Sequence, residues 1–70
     1  MNVTVNGTPH ESVADNLLTL WREYTAPLEL PGPQGFAIAL NGSVVRQRDW
    51  ESRQLLPGDR VEIIRAMSGG

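Results

Sequence analysis

The residues of this 70-residue chain that are best suited to chemistry are its last two, Gly69 and Gly70. Glycine has no Cβ and lets a backbone pass close to other atoms. A stem of Ser68, Gly69 and Gly70 can therefore thread a narrow channel in another enzyme and present its final carboxylate as the reactive group. The structural alternative is a frayed tail, because the last residues of a chain are commonly disordered whatever their function. The tail alone leaves both interpretations open.

Two other groups of residues contain catalytic types, but their spacing argues against catalysis. His10, Glu11 and Ser12 contain the residue types of a nucleophilic triad, yet adjacent strand residues point to opposite faces and no oxyanion site is indicated. Asp49 and Glu51 resemble paired carboxylates but lie in a segment expected to be exposed, where they are solvated. We therefore expect a protein that is not itself an enzyme.

The charge distribution shows one local cluster, formed by Arg46, Arg48 and Arg53. This cluster is either a solvated face or a docking patch for an acidic partner surface. The net charge of −2 argues against nucleic acid as a partner. All six basic residues are arginine, so no lysine side chain is present to receive an isopeptide bond.

Size and composition predict one small domain with an aliphatic core. The chain has no cysteine, which excludes disulfides and thiolate metal sites. We expect no bound metal. No apolar signal segment and no membrane-spanning run are seen, so a cytoplasmic location is the expectation.

The first half of the chain has a strand, a tight turn and a second strand before a helix. Alternation of apolar and polar residues over residues 1–6 predicts a half-buried strand, and Asn6-Gly7 predicts a hairpin turn. The returning strand, 8–11, carries Pro9, which places it at a sheet edge because proline cannot donate to the ladder.

The helix is predicted to start near Ser12, followed by Asp15, which together resemble a helix-start signature. It is expected to end near Thr25 or Ala26, because Pro27 disfavours helical geometry in the residue before it. Its apolar stripe recurs at helical spacing and consists of Val13, Leu17, Leu20, Trp21 and Tyr24.

The remaining predicted elements, in chain order, are a stiff loop over 27–35, a strand over 36–40, a turn at Asn41-Gly42, a short strand over 43–46, a turn or short helix over 48–56, a turn at 57–59 and a last strand over 60–66. This order predicts an α+β fold with one mixed sheet of four to five strands and the main helix packed on one face. The first and last strands are expected to lie side by side, in parallel, in the middle of the sheet. The predicted core is Val3, Val5, Val13, Leu17, Leu20, Trp21, Phe36, Ile38, Leu40, Leu56, Val61 and Ile63.

The sheet face opposite the helix is the predicted partner-docking surface. Alternation places Thr4, Ala37, Ala39 and Ile64 on it, and small residues beside an isoleucine make a flat, mildly apolar patch. Met67 lies just before the tail and is assigned to the same surface.

Taken together, these motifs resemble the ThiS family, the ubiquitin-like sulfur carriers of thiamine biosynthesis. The resemblance covers nearly the whole chain and rests on the opening Val3-Thr4-Val5-Asn6-Gly7, the block from Ala37 to Val45, Trp50, the block from Leu56 to Ile63, and Gly69-Gly70. It implies a β-grasp domain over 1–66 and a flexible tail over 67–70.

The resemblance also implies that other enzymes act on Gly70. A ThiF-type adenylating enzyme, related to the ubiquitin activators, would join AMP to its carboxylate, and a cysteine desulfurase relay would supply sulfur for a thiocarboxylate. The thiocarboxylate would donate sulfur to the thiazole ring of thiamine on a ThiG-type thiazole synthase. ATP and magnesium would be bound by the adenylating partner, and no cofactor by this chain.

Two alternatives remain at this stage. The small subunit of molybdopterin synthase is similar in fold, tail and chemistry, although the lead-in from Arg65 to Ser68 and the presence of Trp50 favour the thiamine branch. A ubiquitin-like modifier or plain binding module is the alternative from another class.

Overall fold

The computed structural model describes residues 1–65. Ala66, the predicted end of the last strand, and the predicted tail over 67–70 lie outside the described residues. The helices and strands are β1 (Asn2–Val5), β2 (Thr8–Glu11), α1 (Leu17–Thr25), β3 (Phe36–Leu40), β4 (Ser43–Val45) and β5 (Arg60–Arg65), with 3₁₀ turns at Ala26–Leu28 and Gln47–Asp49. Within the described residues, α1 is too short to span a bilayer and no other helix has the length or hydropathy to do so.

The five strands form one mixed sheet in the order β2-β1-β5-β3-β4. β1 and β5 pair in parallel, while β1 with β2, β3 with β4 and β3 with β5 pair antiparallel. The predicted central parallel pair is therefore confirmed. Pro9 lies in β2 at the sheet edge, where its missing N–H interrupts no inner ladder.

Two Asn-Gly turns set the register of the outer hairpins. Asn6 and Gly7 have φ values of 51° and 81°, and Asn41 and Gly42 have values of 50° and 89°. Positive φ at both central residues is the geometry of the type I′ hairpin turn, which asparagine and glycine tolerate best. Both predicted turns are confirmed.

The helix begins later than predicted. Its N-cap is Asn16, whose side-chain oxygen accepts a hydrogen bond from the Thr19 N–H at 2.9 Å. The Ser12 hydroxyl instead accepts from the Ala14 N–H at 3.0 Å, in a turn that precedes the helix. Because helical spacing does not apply before residue 17, the core prediction for Val13 is wrong. Val13 is 93% exposed, and Ala14 is buried instead.

The core prediction for Leu56 is also wrong. Leu56 is 50% exposed, whereas its neighbour Leu55 is buried. The Leu55 N–H donates to the Asp15 carbonyl at 2.9 Å, and this bond fixes which of the two adjacent leucines faces the core. Phe36 packs against the core but is only partly buried.

The helix ends where predicted, but helical geometry continues for one further turn. Ala26 has φ −50° and ψ −44°, and the 3₁₀ turn that follows contains Pro27 near its start, where a missing N–H costs nothing. Glu29, with φ of 51°, ends the turn. Pro27 therefore does not prevent helical backbone geometry at Ala26.

Both tryptophans are buried in the core between α1 and the sheet, but within residues 1–65 only one of them makes an indole hydrogen bond. Trp50 donates from Nε1 to the Val45 carbonyl at 2.8 Å. Trp21 packs edge-on against Phe36, with the ring centroids 5.3 Å apart. Among residues 1–65, Trp21 Nε1 has no hydrogen-bond partner.

Candidate functional site

β5 is the central strand that carries the chain toward Gly70. Val61 and Ile63 are buried, while Glu62 and Ile64 face outward, as the alternation predicts. At its end Arg65 pairs with Phe36 across the ladder, and the guanidinium lies 5.4 Å from the ring centroid of Phe36. This cation–π contact adds to the ladder that holds the last described residue.

A side-chain amide extends the parallel ladder toward the end of β5. The last strand residue of β1 is Val5, opposite Val61, and the next residue, Asn6, donates its backbone N–H to the Val61 carbonyl at 2.9 Å. Asn6 Nδ2 then donates to the Ile63 carbonyl at 3.2 Å, and Asn6 Oδ1 accepts from the Ile63 N–H at 2.8 Å. The amide thus takes the place of one more strand residue beside β5.

A matching contact holds the start of β5. Asn41 donates its backbone N–H to the Arg60 carbonyl at 2.7 Å, and its Oδ1 accepts from the Arg60 N–H at 2.8 Å. Asn41 Nδ2 also donates to Asp59 Oδ1 at 3.1 Å. The asparagines of both hairpin turns therefore bracket β5 and fix its position.

The structure brings three of the predicted docking residues together on the sheet face that α1 does not cover. Ala37 lies opposite Ile64, and Ala39 lies two pairs further along the same ladder, opposite the exposed Glu62. Ile64 is 53% exposed. Thr4 lies opposite Arg60, roughly 13 Å from Ile64 along the strand. Met67, the remaining docking residue, lies outside the described residues.

Val44 belongs to this surface and was missed. It is 77% exposed and lies opposite Ala39 in the β3–β4 hairpin. The sequence contains the signal, because the Asn41-Gly42 turn pairs these two residues on the same face. We call Ala37, Ala39, Val44 and Ile64 the open-face strip.

The predicted arginine cluster lies beside Val44. Arg46, Arg48 and Arg53 line a shallow groove of about 660 Å³, together with Val44, Val45, Asp49 and Ser52. We call this the arginine groove. Within residues 1–65, none of its three guanidinium groups has a carboxylate oxygen within 4.0 Å.

The residues with triad types are arranged around a carboxylate from α1. His10 Nε2 lies 2.9 Å from Glu23 Oε1, and the Val13 N–H donates to Glu23 Oε2 at 3.2 Å. Burial raises the pKa of Glu23, but hydrogen bonds from His10, Ser12 and the Val13 amide outweigh burial and lower the pKa below its ordinary value. The cluster ties β2 to α1 and does not pair His10 with Ser12 as a base with a nucleophile.

Metal ligation has no support in the described part of the chain. No three His, Asp or Glu side chains converge there as ligands would. Asp49 and Glu51 are both exposed.

A model of the ThiS family matches residues 3–70, which run from the second residue of β1 through the helix and β5 to the terminal glycines. The chain belongs to the ThiS family. A search of curated proteins gave no match.

Solved structures agree with the ThiS assignment. The crystal structure of the thiamine biosynthesis protein ThiS from Geobacter metallireducens is 31% identical, with a TM-score of 0.70, and each chain is covered in full. An NMR solution structure of a thiamine biosynthesis protein from the same organism is 29% identical, with a TM-score of 0.68, covering 100% of this chain and 88% of the other. The mixed five-stranded sheet with one helix is thus the β-grasp fold of this ThiS-family chain.

Proposed function

We propose that this ThiS-family chain is a sulfur carrier for the thiazole ring of thiamine, with the C-terminal carboxylate of Gly70 as the point of attachment. The observation that carries the proposal is the family match, which continues through the tail to residue 70. The full mutual coverage with a solved ThiS protein supports it, because the alignment spans the whole of this chain and not an isolated motif.

The chemistry required of Gly70 is activation followed by substitution. A carboxylate oxygen is a poor leaving group, so an adenylating enzyme of the ThiF type transfers AMP from ATP to the carboxylate and releases pyrophosphate. The terminal sulfur of a protein persulfide, supplied by a cysteine desulfurase relay, then attacks the carbonyl carbon and AMP leaves. A thiol cleaves the resulting acyl disulfide, which releases the thiocarboxylate and leaves a disulfide between the two thiols. The thiocarboxylate is ionised at neutral pH and nucleophilic, which suits donation of sulfur on a ThiG-type thiazole synthase.

In this proposal the chain contributes a docking surface and a strand, β5, that is fixed in position just before the tail. The open-face strip provides apolar contact for the partner enzymes, while the Asn6 and Asn41 contacts keep β5 in one position. ATP and magnesium belong to the adenylating enzyme in this proposal, and this chain supplies only the reacting carboxylate. Ser68 and Gly69 form the slim segment that enters the active sites of the partners.

The proposal is tested by mass spectrometry after incubation with a ThiF-type enzyme, ATP and a sulfur source. We expect one oxygen to be replaced by one sulfur at Gly70, with the product trapped by alkylation. Fragment masses must localise the change, because oxidation of Met1 or Met67 adds nearly the same mass. A chain lacking Gly70 is the matched control and should stay unmodified.

Other outcomes would redirect the assignment. An unmodified Gly70, with an enzyme shown to be active on another carrier, would contradict the proposal. Covalent adducts between Gly70 and lysines of other proteins would indicate a ubiquitin-like modifier. The thiamine branch is preferred over molybdopterin synthase because the crystal and NMR structures described above are of a thiamine biosynthesis protein.

A further inference from the structure

The arginine groove concentrates positive charge on a protein that is negative overall. Three of the six arginines line it, against a single acidic side chain, Asp49, while the whole chain carries a net charge of −2. Arg46, Arg48 and Arg53 are all exposed. Like charges brought together in this way repel one another unless an anion lies between them.

The backbone that carries the arginines is anchored at several points. Trp50 is fully buried at its centre, and the Trp50 and Arg53 carbonyls accept from the Leu17 N–H at 3.1 and 3.2 Å. Gln47 Nε2 donates to the carbonyls of Pro33 and Phe36 at 2.7 and 3.0 Å. Because the segment is held in place, the backbone positions of the arginines are fixed before any partner arrives, which lowers the ordering cost of binding.

The groove continues directly into the open-face strip. Val44 belongs to both, since it lines the groove and lies opposite Ala39. A ligand that fills the groove therefore meets an exposed aliphatic side chain next to three guanidinium groups.

The three guanidinium groups beside an exposed valine favour a protein segment over a nucleotide as the ligand. The one tryptophan near the groove, Trp50, is fully buried, so the described residues offer no aromatic face there on which a base could stack. Arginine pairs with carboxylates through its planar fork of donors, and an apolar residue of the same segment can cover Val44.

We propose that the arginine groove binds an acidic segment of a protein partner, with carboxylates on Arg46, Arg48 and Arg53 and an apolar side chain on Val44. The groove thereby extends the open-face strip into a docking surface of mixed character. Its part beside β5 is apolar except for Glu62, which lies opposite Ala39, and its part beyond β4 is cationic. The charged part speeds association and sets orientation, and the apolar strip supplies contact area. That the partner is an enzyme acting on Gly70 rests on the proposed function, whereas the acidic chemistry of the segment does not.

The direct test uses a blocked pentapeptide with glutamates on both sides of a central leucine, followed by two-dimensional NMR of the labelled protein. We expect saturable shifts confined to residues 44–53. Raising the salt from about 0.01 M to about 0.15 M should weaken binding, since the Debye length falls from roughly 30 Å to 8 Å. The same peptide with glutamine in place of glutamate should not bind.

Charge reversal provides matched variants. Arg48→Glu and Arg53→Glu should each lower the affinity for the peptide by about fivefold or more. This is the scale expected when one exposed ion pair is lost and replaced by a repulsion. Arg22→Glu makes the same change in net charge on α1 and should leave affinity within about twofold. Equal losses in all three variants, or no shifts in residues 44–53, would overturn the inference. Tighter binding of inorganic phosphate at the same residues would also overturn it, in favour of a small-anion site.

A second experiment separates this inference from the proposed function. The rate of adenylation of Gly70 by the ThiF-type enzyme is compared at low salt for the wild type, Arg48→Glu and Arg22→Glu. Failure of the wild type counts against the sulfur-carrier proposal and leaves the peptide result standing. If the wild type is active and Arg48→Glu has the same adenylation rate and the same salt dependence, the adenylating enzyme does not use the groove. If Arg48→Glu also binds thiazole synthase as tightly as the wild type does, the inference that the groove is a docking site is overturned.

Discussion

At the scale of single residues, the two tryptophans are both buried but differ in whether the indole N–H has a hydrogen-bond acceptor within residues 1–65. Both rings lie in the core, but the Trp50 indole donates to the Val45 carbonyl, whereas the Trp21 indole has no partner among residues 1–65. A buried donor without an acceptor costs about 1–3 kcal/mol. The same substitution at the two positions therefore has different consequences.

Trp50→Phe should lower the free energy of unfolding by about 2–3 kcal/mol, because it opens a cavity and removes the donor to Val45. Trp21→Phe should lower it by about 1 kcal/mol or less, because removal of the unpartnered N–H offsets part of the cavity cost. Urea unfolding followed by far-ultraviolet circular dichroism measures both without relying on tryptophan fluorescence. Equal losses would show that the Trp50 hydrogen bond contributes nothing beyond packing.

Residue-level prediction from sequence failed where local patterns could not decide between neighbours. Ser12, Asp15 and Asn16 are all capping types within one short stretch, and the choice of Asn16 depends on tertiary bonds such as Leu17 N–H to the Trp50 carbonyl. Leu55 and Leu56 are equally apolar, and only the bond from Leu55 to Asp15 distinguishes them.

At the scale of elements, β5 depends on the two hairpin turns. The sequence predicted both turns from Asn-Gly, because that dipeptide tolerates the positive φ values that the turn requires. It did not reveal that the asparagine side chains reach across to β5, since such bonds depend on which strand lies beside the turn. The strands themselves were predictable, because one buried face imposes strict alternation.

Asn6→Gly should lower the free energy of unfolding by about 1–2 kcal/mol, since it keeps the positive φ but removes two side-chain hydrogen bonds to Ile63. Amide hydrogen exchange at Ile63 should become faster than global unfolding explains. Asn41→Gly is the matched control, because it removes the contact at Arg60 instead. If Ile63 exchange were equal in the two variants, the Asn6 amide would not be holding the end of β5.

At the scale of the whole molecule, the open-face strip leaves one side of the sheet free while α1 covers the other. In the part of the chain that the structure describes, the strip lies beside the strand that leads to Gly70. The sequence predicted Ala37, Ala39 and Ile64 for this face by alternation. It missed Val44 because β4 has only three residues and little periodicity of its own, although the pairing set by the Asn41-Gly42 turn places Val44 on this face.

On the proposed function, Ile64→Asp should weaken binding to a ThiF-type adenylating enzyme and to a ThiG-type thiazole synthase by about tenfold or more, because it places a charge in the apolar contact. The fold should be retained, as Ile64 is half exposed. Val13→Asp is the matched control, since Val13 is exposed but lies outside the strip. Calorimetric titration measures both, and an unchanged affinity for Ile64→Asp would remove the strip from the docking surface.

The sheet order has a consequence for the order in which the molecule is made. β1 with β2 and β3 with β4 are hairpins of neighbouring strands, but they join only through β5, which is translated after all of them. A nascent chain that has not reached Arg60 therefore has two separate hairpins with their inner edges unpaired. The sheet closes only when β5 inserts between them, so folding of this domain waits until residues 60–65 have been made and depends on long-range pairing that is intrinsically slow.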